Sequence, residues 1–343
     1  MKNNLLFVDD DEFILQALMR QMRNERHEWN IEFASSGARA LELMAERSFD
    51  LVFADMRMPK MDGIRLLTEV MHRSPSTIRV ILSGQSERDF RFRTIGPAHQ
   101  YLSKPCDPES IRILLREVRQ LQNYLPDESL RDLVASISAL PSLPDHVHEL
   151  VSELQSNNTS VEAISSIVSR DPGMTAKILQ LANSSFFGMP GRVTDSRVGV
   201  ELLGLELMRQ MTLQAGVFSQ VKMPVIEGFC LDAYSANSLA VASAARKRTL
   251  QVTGDEKAAS AAYSAGLLHD IGQLVLALSL PEQYATVLRI ARMSGRSLRD
   301  VEQETLRTTH AHAGGYLLRL WGFSDSIINA VTGHHEVEMQ DDD

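Results

Sequence analysis

Short apolar runs, each followed by a helix-forming stretch, recur five times in the first 124 residues, and this alternation constrains the fold more than any other feature. Leu5 to Val8 runs into Asp9, Asp10 and Asp11 and then a helical pattern of Phe13, Leu15, Leu18, Met19 and Met22. Ile31 to Phe33 precedes a helix over Ala38 to Met44, and Leu51 to Ala54 one over Gly63 to Val70. Val80 to Leu82 precedes a polar helix, and Gln100 to Ser103 leads through Pro105 to a helix carrying Ile111, Leu114, Leu115, Val118 and Leu121. The repetition predicts an α/β domain built on a doubly wound, five-stranded parallel sheet. Functional groups in such a sheet gather in loops at the carboxyl ends of the strands.

After Tyr124 the strand signals stop, and Pro126, Pro141 and Pro144 punctuate a polar stretch before long helical patterns take over. This divides the chain into an α/β domain over 1–124, a linker with a connecting helix over 125–139, and an all-α helical domain over 140–338. Thr159 with Glu162 forms a capping box, and Asp171-Pro172 supplies an N-cap followed by proline at the first helical position, so helices start near 160 and 172. Further helices are expected over 197–214, 230–249, 256–278, 282–293, 298–320 and 324–335, with Asp341 to Asp343 a solvated tail.

With 343 residues, 44% of them apolar, the chain can bury two cores. Cys106 and Cys230, its two cysteines, sit in no paired motif, which fits a reducing cytoplasm. The start of the chain lacks a signal-peptide h-region, and no apolar run approaches membrane-spanning length, so neither secretion nor a membrane partner is expected. Lys+Arg balances Asp+Glu at 18 against 18 over residues 1–124, leaving 17 against 26 for the rest. An acidic C-terminal part argues against a nucleic-acid partner, since phosphate backbones require a Lys/Arg surplus.

Asp9 and Asp10 end the first strand and Asp55 the third, so three carboxylates converge at one sheet edge. Uncompensated, they repel one another; a divalent cation neutralises them, and all-oxygen ligands favour Mg²⁺. Ser83 ends the fourth strand and Lys104 follows the fifth, adding a hydroxyl and a cation. This set suits phosphoryl transfer to a carboxylate nucleophile, Asp55. An Asp pair or a Lys-Pro alone is ordinary turn chemistry; placement at four strand ends together is not.

Phe-Val-Asp-Asp at 7–10, Asp55 followed by Met58-Pro59 and Asp62-Gly63, Ser83-Gly84 and Lys104-Pro105 resemble the response-regulator receiver family, of flavodoxin-like fold. The resemblance covers residues 1 to about 124. It implies that Asp55 is phosphorylated by a sensor histidine kinase, that Asp10 ligates Mg²⁺ directly and Asp9 through water, and that the carbonyl of Arg57 completes the metal shell together with Asp55. It further implies that Ser83 senses the phosphoryl group and that Tyr101 then changes rotamer.

In the helical domain, His269-Asp270 with distant helical histidines is an arrangement by which facing helices can hold a metal, though hydrogen-bonded core or surface groups adopt it more often. The segments Leu-Pro-Ser-Leu-Pro at 140–144, Asp-Pro-Gly-Met-Thr-Ala at 171–176, Ala-Asn-Ser-Ser-Phe-Phe-Gly at 182–188, Leu267-Leu268-His269-Asp270-Ile271-Gly272, His310 with Gly314, and His334-His335 resemble the HDOD family, a divergent branch of the HD-type metal-dependent phosphohydrolases. The match spans roughly 130–338. Two departures from the catalytic HD pattern stand out. Asn237 falls where an upstream histidine ligand is needed, and Gln273 stands where the cyclic-dinucleotide phosphodiesterases carry lysine. His269, Asp270, His310 and His335 are therefore read as a vestigial site or as one that still binds a ligand, with a second metal there in question. Met208, Met211, Phe218 and the Met189-Pro190 turn are read as core filling rather than a partner groove.

These readings make the chain a two-component response regulator, a cytoplasmic homodimer, whose non-catalytic helical output meets a further protein partner. The alternative is a phosphorylation-regulated phosphohydrolase acting on a nucleotide or cyclic dinucleotide. A DNA-binding output is disfavoured by charge.

Overall fold

The computed structural model describes residues 2–84, 97–121, 124–184, 193–214, 217–218 and 221–336. The chain forms two compact units, the first Met1–Ser138 and the second beginning at Ala139.

In the first unit β1 (Asn3–Val8), β2 (Trp29–Ala34), β3 (Leu51–Asp55), β4 (Ile78–Ser83) and β5 (Gln100–Ser103) form one parallel sheet in the order β2-β1-β3-β4-β5. The doubly wound five-stranded sheet expected from the sequence is thus present. Leu5 to Val8, Leu51 to Ala54 and Val80 to Leu82 are sealed from solvent, which is why these strands read as continuous apolar runs instead of alternating ones. Phe7 stacks between Phe33 and Phe53 on the flanking strands, at 5.6 and 4.8 Å between ring centres.

Helices α1 (Glu12–Gln21), α2 (Gly37–Glu46), α3 (Gly63–Arg73) and α4 (Pro108–Leu121) accompany the sheet. Asp11, Ser36 and Asp62 cap the first three, each side-chain oxygen accepting a main-chain N–H of the first turn. The polar helix expected after β4 falls largely on residues 85–96, outside the described residues. A further helix, α5 (Glu128–Ala135), capped by Asp127, also belongs to this unit.

Register fixes the functional edge. Asp55 pairs with Leu82 and Ser83 with Ser103. The Met56 N–H donates to the Leu82 carbonyl at 2.9 Å and the Lys104 N–H to the Ser83 carbonyl at 2.8 Å, so β3, β4 and β5 end level with one another.

The second unit is all-α: α6 (Pro144–Gln155), α7 (Val161–Val168), α8 (Pro172–Ala182), α9 (Ser196–Arg209), α10 (Leu231–Thr253), α11 (Glu256–Leu268), α12 (Ile271–Ser279), α13 (Pro281–Ser294), α14 (Leu298–Leu306), α15 (His310–Leu320) and α16 (Asp325–Gly333). Pro144, which punctuates a polar stretch in the sequence, is the first residue of α6. The cap of α7 is Ser160, whose hydroxyl accepts the Ala163 N–H; the Thr159 capping box does not form, and the Thr159 hydroxyl is buried without a partner. The Asp171-Pro172 start of α8 is as expected.

Three expected helices prove to be interrupted. The 256–278 stretch breaks at His269-Asp270, and 298–320 breaks at Arg307, a non-glycine residue with φ 55°. Gly204 kinks α9 with φ 76°. Among the described residues, Glu256–Ser279 has the length and apolarity of a membrane span, contrary to the expectation from sequence. It comprises α11 and α12, split at that break, and 56% of its most apolar window is buried against the protein. Met208, Met211 and Phe218 are buried, as core filling requires; Met189-Pro190 and Ser185 to Gly188 lie outside the described residues.

The segments that carried the family resemblance form a brace at the start of α8. Fully buried Asp171 accepts the N–H groups of Met174 (2.9 Å) and Leu143 (3.0 Å) and contacts His146 Nδ1 at 3.2 Å. A Cβ on Gly173 would lie 2.5 Å from the Pro141 carbonyl, so only glycine lets the Leu-Pro-Ser-Leu-Pro segment close over the helix.

Candidate functional site

The first cluster is built where β1, β3 and β5 release their chains. Asp9, almost fully buried, accepts the Asp11 N–H at 3.0 Å; Asp10 is exposed beside it. Asp55, 6% exposed, accepts the Arg57 N–H at 2.8 Å. One oxygen from each of Asp9, Asp10 and Asp55 falls within 4.8 Å of the others. The Lys104 ammonium donates to Asp9 Oδ2 at 2.7 Å and to Asp55 Oδ1. Gly63 is required here by close approach: a Cβ would sit 2.2 Å from the Asp55 carbonyl oxygen.

Burial pushes the Asp55 carboxyl up to about 6 against the opposing hydrogen bond and charge of Lys104. Burial lowers Lys104, but its bonds to Asp55 and Asp9 outweigh this and its amine is raised, so it stays an ammonium. Three carboxylates against one ammonium leave excess negative charge, and the donor set is oxygen only. That chemistry fits a hard divalent cation such as Mg²⁺.

The structure therefore brings Asp9, Asp10, Asp55 and Lys104 into one pocket. Ser83, buried at the end of β4, reaches the same edge through its main-chain bond to Lys104. Arg57 has an exposed side chain and follows Asp55 by two residues. Tyr101 is buried within β5, opposite Ile81, back from the pocket.

The second cluster lies in the all-α unit at the break between α11 and α12. Asp270 Oδ1 is 3.2 Å from His310 Nε2 and 3.3 Å from His334 Nε2, and its Oδ2 is 3.2 Å from His269 Nε2. His335 Nε2 lies 2.8 Å from His310 Nε2. Ligand atoms of Asp270, His310, His334 and His335 all fall within 4.8 Å of one another. The approach depends on Gly272, where a Cβ would lie 1.7 Å from the His310 carbonyl; no other residue lets α12 and α15 meet this closely.

The far ring nitrogens fix the tautomers. His310 Nδ1 faces the fully buried Glu302 carboxylate at 2.6 Å, His334 Nδ1 the Val331 carbonyl at 2.7 Å, and His269 Nδ1 the Gly266 carbonyl at 2.8 Å. Each Nδ1 therefore carries its proton. In the neutral ring, each Nε2 then presents a lone pair to the Asp270 oxygens, an arrangement relieved by protonation or by a cation. Burial opposes charge on His310, yet the bonds to Asp270 and Glu302 prevail and raise it to about 9. Burial likewise opposes the charge on Asp270, and the bonds from His269, His310 and His334 hold it well below the usual carboxylate range.

Of the residues read from sequence, His269, Asp270, His310 and His335 meet here. Asn237 does not: it is exposed on α10, whose buried neighbours are Tyr234 and Ser238, with Tyr234 raised by burial and by the charge of Asp270. Two participants were missed. His334 was visible as half of a His-His pair; Glu302 belongs to no motif, and only its burial marks it.

Comparison with known proteins adds two family matches: a response regulator receiver domain over residues 5–116 and an HDOD domain over 140–337. The crystal structure of the MmoQ response regulator from Methylococcus capsulatus strain Bath is 30% identical, with a TM-score of 0.51 over 59% of this chain and 79% of that one. A virulence factor from Campylobacter jejuni shares the fold at 24% identity, with a TM-score of 0.51 over 62% of this chain and 76% of its own. An uncharacterized protein of Treponema pallidum (strain Nichols) is 25% identical over 253 residues, 72% of this chain and 45% of its own length. The transcriptional regulatory protein ZraR of Escherichia coli O157:H7 is 32% identical over 155 residues, 44% of this chain and 34% of its own. The chain thus spans less than half the length of these two curated relatives.

Proposed function

The chain belongs to the HDOD family and carries a response regulator receiver domain ahead of its HDOD domain, and on that premise we propose that Asp55 accepts a phosphoryl group from a sensor histidine kinase and thereby controls the helical unit. The observation that carries this reading is the convergence of Asp9, Asp10 and Asp55 with the Lys104 ammonium bonded into the cluster.

In the transfer, an oxygen of Asp55 forms a bond to phosphorus as the bond from phosphorus to the kinase histidine breaks. Asp9, Asp10, Asp55 and the Arg57 carbonyl would hold Mg²⁺, which when bound offsets charge on the phosphoryl oxygens. Lys104 supplies fixed positive charge on the opposite side, and Ser83 offers its hydroxyl from β4. Tyr101, buried in β5, is the side chain whose rearrangement carries the change onward. Incubation of the full chain with acetyl phosphate tests the reading. Wild type is expected to gain one phosphoryl group by intact mass, while Asp55→Asn or removal of divalent cations abolishes the gain; uptake by Asp55→Asn at an unchanged rate sinks it.

For the helical unit we favour a non-hydrolytic binding role toward a protein partner, within a cytoplasmic homodimer that engages neither nucleic acid nor membrane. Asn237 on α10, which brings no imidazole to the cluster, and Gln273 after His269-Asp270, where the cyclic-dinucleotide phosphodiesterases carry lysine, support it.

One observation favours a second reading: three histidines whose Nδ1 protons are committed elsewhere aim Nε2 at Asp270. On this reading Asp270, His310, His334 and His335 hold a transition metal, with Glu302 orienting His310. Elemental analysis after exhaustive dialysis separates the two. Near-stoichiometric iron, manganese or zinc that disappears in His310→Ala supports the metal reading and reopens phosphoester hydrolysis; metal-free protein supports the binding role.

A further inference from the structure

The receiver family match ends at residue 116, yet the first unit contains one more helix, α5, and buried polar groups hold it. Arg79, at the amino end of β4, is 1% exposed. Its guanidinium donates to the carbonyls of Pro75 (2.6 Å), Thr77 (3.1 Å), Pro97 (2.6 Å) and Ala135 (2.8 Å) and lies 2.6 Å from His99 Nε2. His99, equally buried in the segment entering β5, places Nε2 2.8 Å from the same Ala135 carbonyl, and its Nδ1 accepts the Arg79 N–H at 3.2 Å. Asp132 adds a bond from the Ser76 N–H at 3.0 Å, and Leu130, Val134 and Ala135 are buried.

The Ala135 carbonyl is one of the last-turn acceptors that a helix leaves unpaired, and it carries partial negative charge. Capping it with a buried guanidinium and an imidazole is a strong, directional hold. The cap comes from the amino ends of β4 and β5, the strands whose carboxyl ends deliver Ser83 and, past Tyr101, Lys104. Each strand therefore connects the phosphorylation pocket at one end to the grip on α5 at the other, and residues 136–143 lead from α5 directly into α6.

We propose that α5 is a latch. Held by Arg79 and His99 in the resting protein, it is released when β4 and β5 readjust around an occupied Asp55, which frees the segment joining the receiver to α6. The trigger rests on the reading of Asp55 as phosphoacceptor; the hold itself does not.

Hydrogen exchange measured by mass spectrometry on the full chain, with and without acetyl phosphate and Mg²⁺, tests this when intact mass is recorded on the same samples. Phosphorylated wild type is expected to show exchange over residues 128–138 accelerated roughly tenfold or more, with β1 and β3 unchanged. Arg79→Gln and His99→Ala should show faster exchange in α5 before any phosphorylation; if Arg79→Gln fails to fold, His99→Ala carries this arm, because it leaves the buried arginine in place. A sample that takes up the phosphoryl group while α5 exchange stays fixed overturns the latch alone. A sample that takes up none overturns the Asp55 reading and the trigger with it. Slow α5 exchange, equal to wild type, in unphosphorylated Arg79→Gln, or in His99→Ala should Arg79→Gln fail to fold, contradicts the hold.

Discussion

Lys104 links the acidic pocket to β5: its ammonium touches both Asp9 and Asp55, and its main-chain N–H bonds back to Ser83. Lys104→Ala should leave Asp55 able to accept a phosphoryl group from a small donor, since the nucleophile and the acidic residues remain. It should also remove the response, because no cation then pulls β5 toward the phosphoryl oxygens. The expected result is phosphoryl uptake by intact mass without the change in hydrogen exchange; uptake with a full response would show that Lys104 is not the link. In the second unit Lys177 is fully buried, with its amine 2.9 Å from Gln180 Oε1 and 5.7 Å from the Trp321 ring centre, and burial lowers it from 10.5 to about 7. The unfolded amine binds its proton up to about 10.5 and the folded one only to about 7, so stability should rise with pH across that window and be flat below it. Lys177→Met should flatten the rise, as read by urea unfolding at several pH values; a slope unchanged in the variant places its origin elsewhere. The burial of Lys177 was not legible in sequence, because every residue of α8 is buried and the helix shows no polar face.

Among the elements, the α12–α15 contact depends on a missing side chain. Gly272→Ala would drive a methyl group into the His310 carbonyl, so the helices must part. The expected cost is about 3 kcal/mol in unfolding free energy, with His310 drawn away from Asp270. A variant within about 0.5 kcal/mol of wild type would mean that the approach is looser than described. The strands were legible because burial on both faces demands unbroken apolar runs, and the carboxylates at their ends followed from parallel topology. The helical breaks were less so. Neither His269-Asp270 nor Arg307 carries a proline or a glycine, and apolar periodicity runs through both; Pro144 punctuates a polar stretch in the sequence, yet it opens α6. Thr159 and Ser160 are chemically equivalent caps, and only packing selects the second. Glu302 remained invisible since an acid on a helix is ordinarily solvated.

At the scale of the whole molecule, a receiver with balanced charge precedes an acidic helical unit, each with its own core and its own polar cluster. The first cluster gathers three carboxylates around the Lys104 ammonium; the second gathers histidines around Asp270. The claim on which everything else depends is that Asp55 is the acceptor. After reaction with acetyl phosphate and Mg²⁺, borohydride reduction converts a phosphoaspartate to homoserine, and peptide mass spectrometry locates it. Homoserine at position 55 is the predicted result; homoserine at Asp9 or Asp10, or none anywhere in a chain that has taken up phosphate, would contradict it.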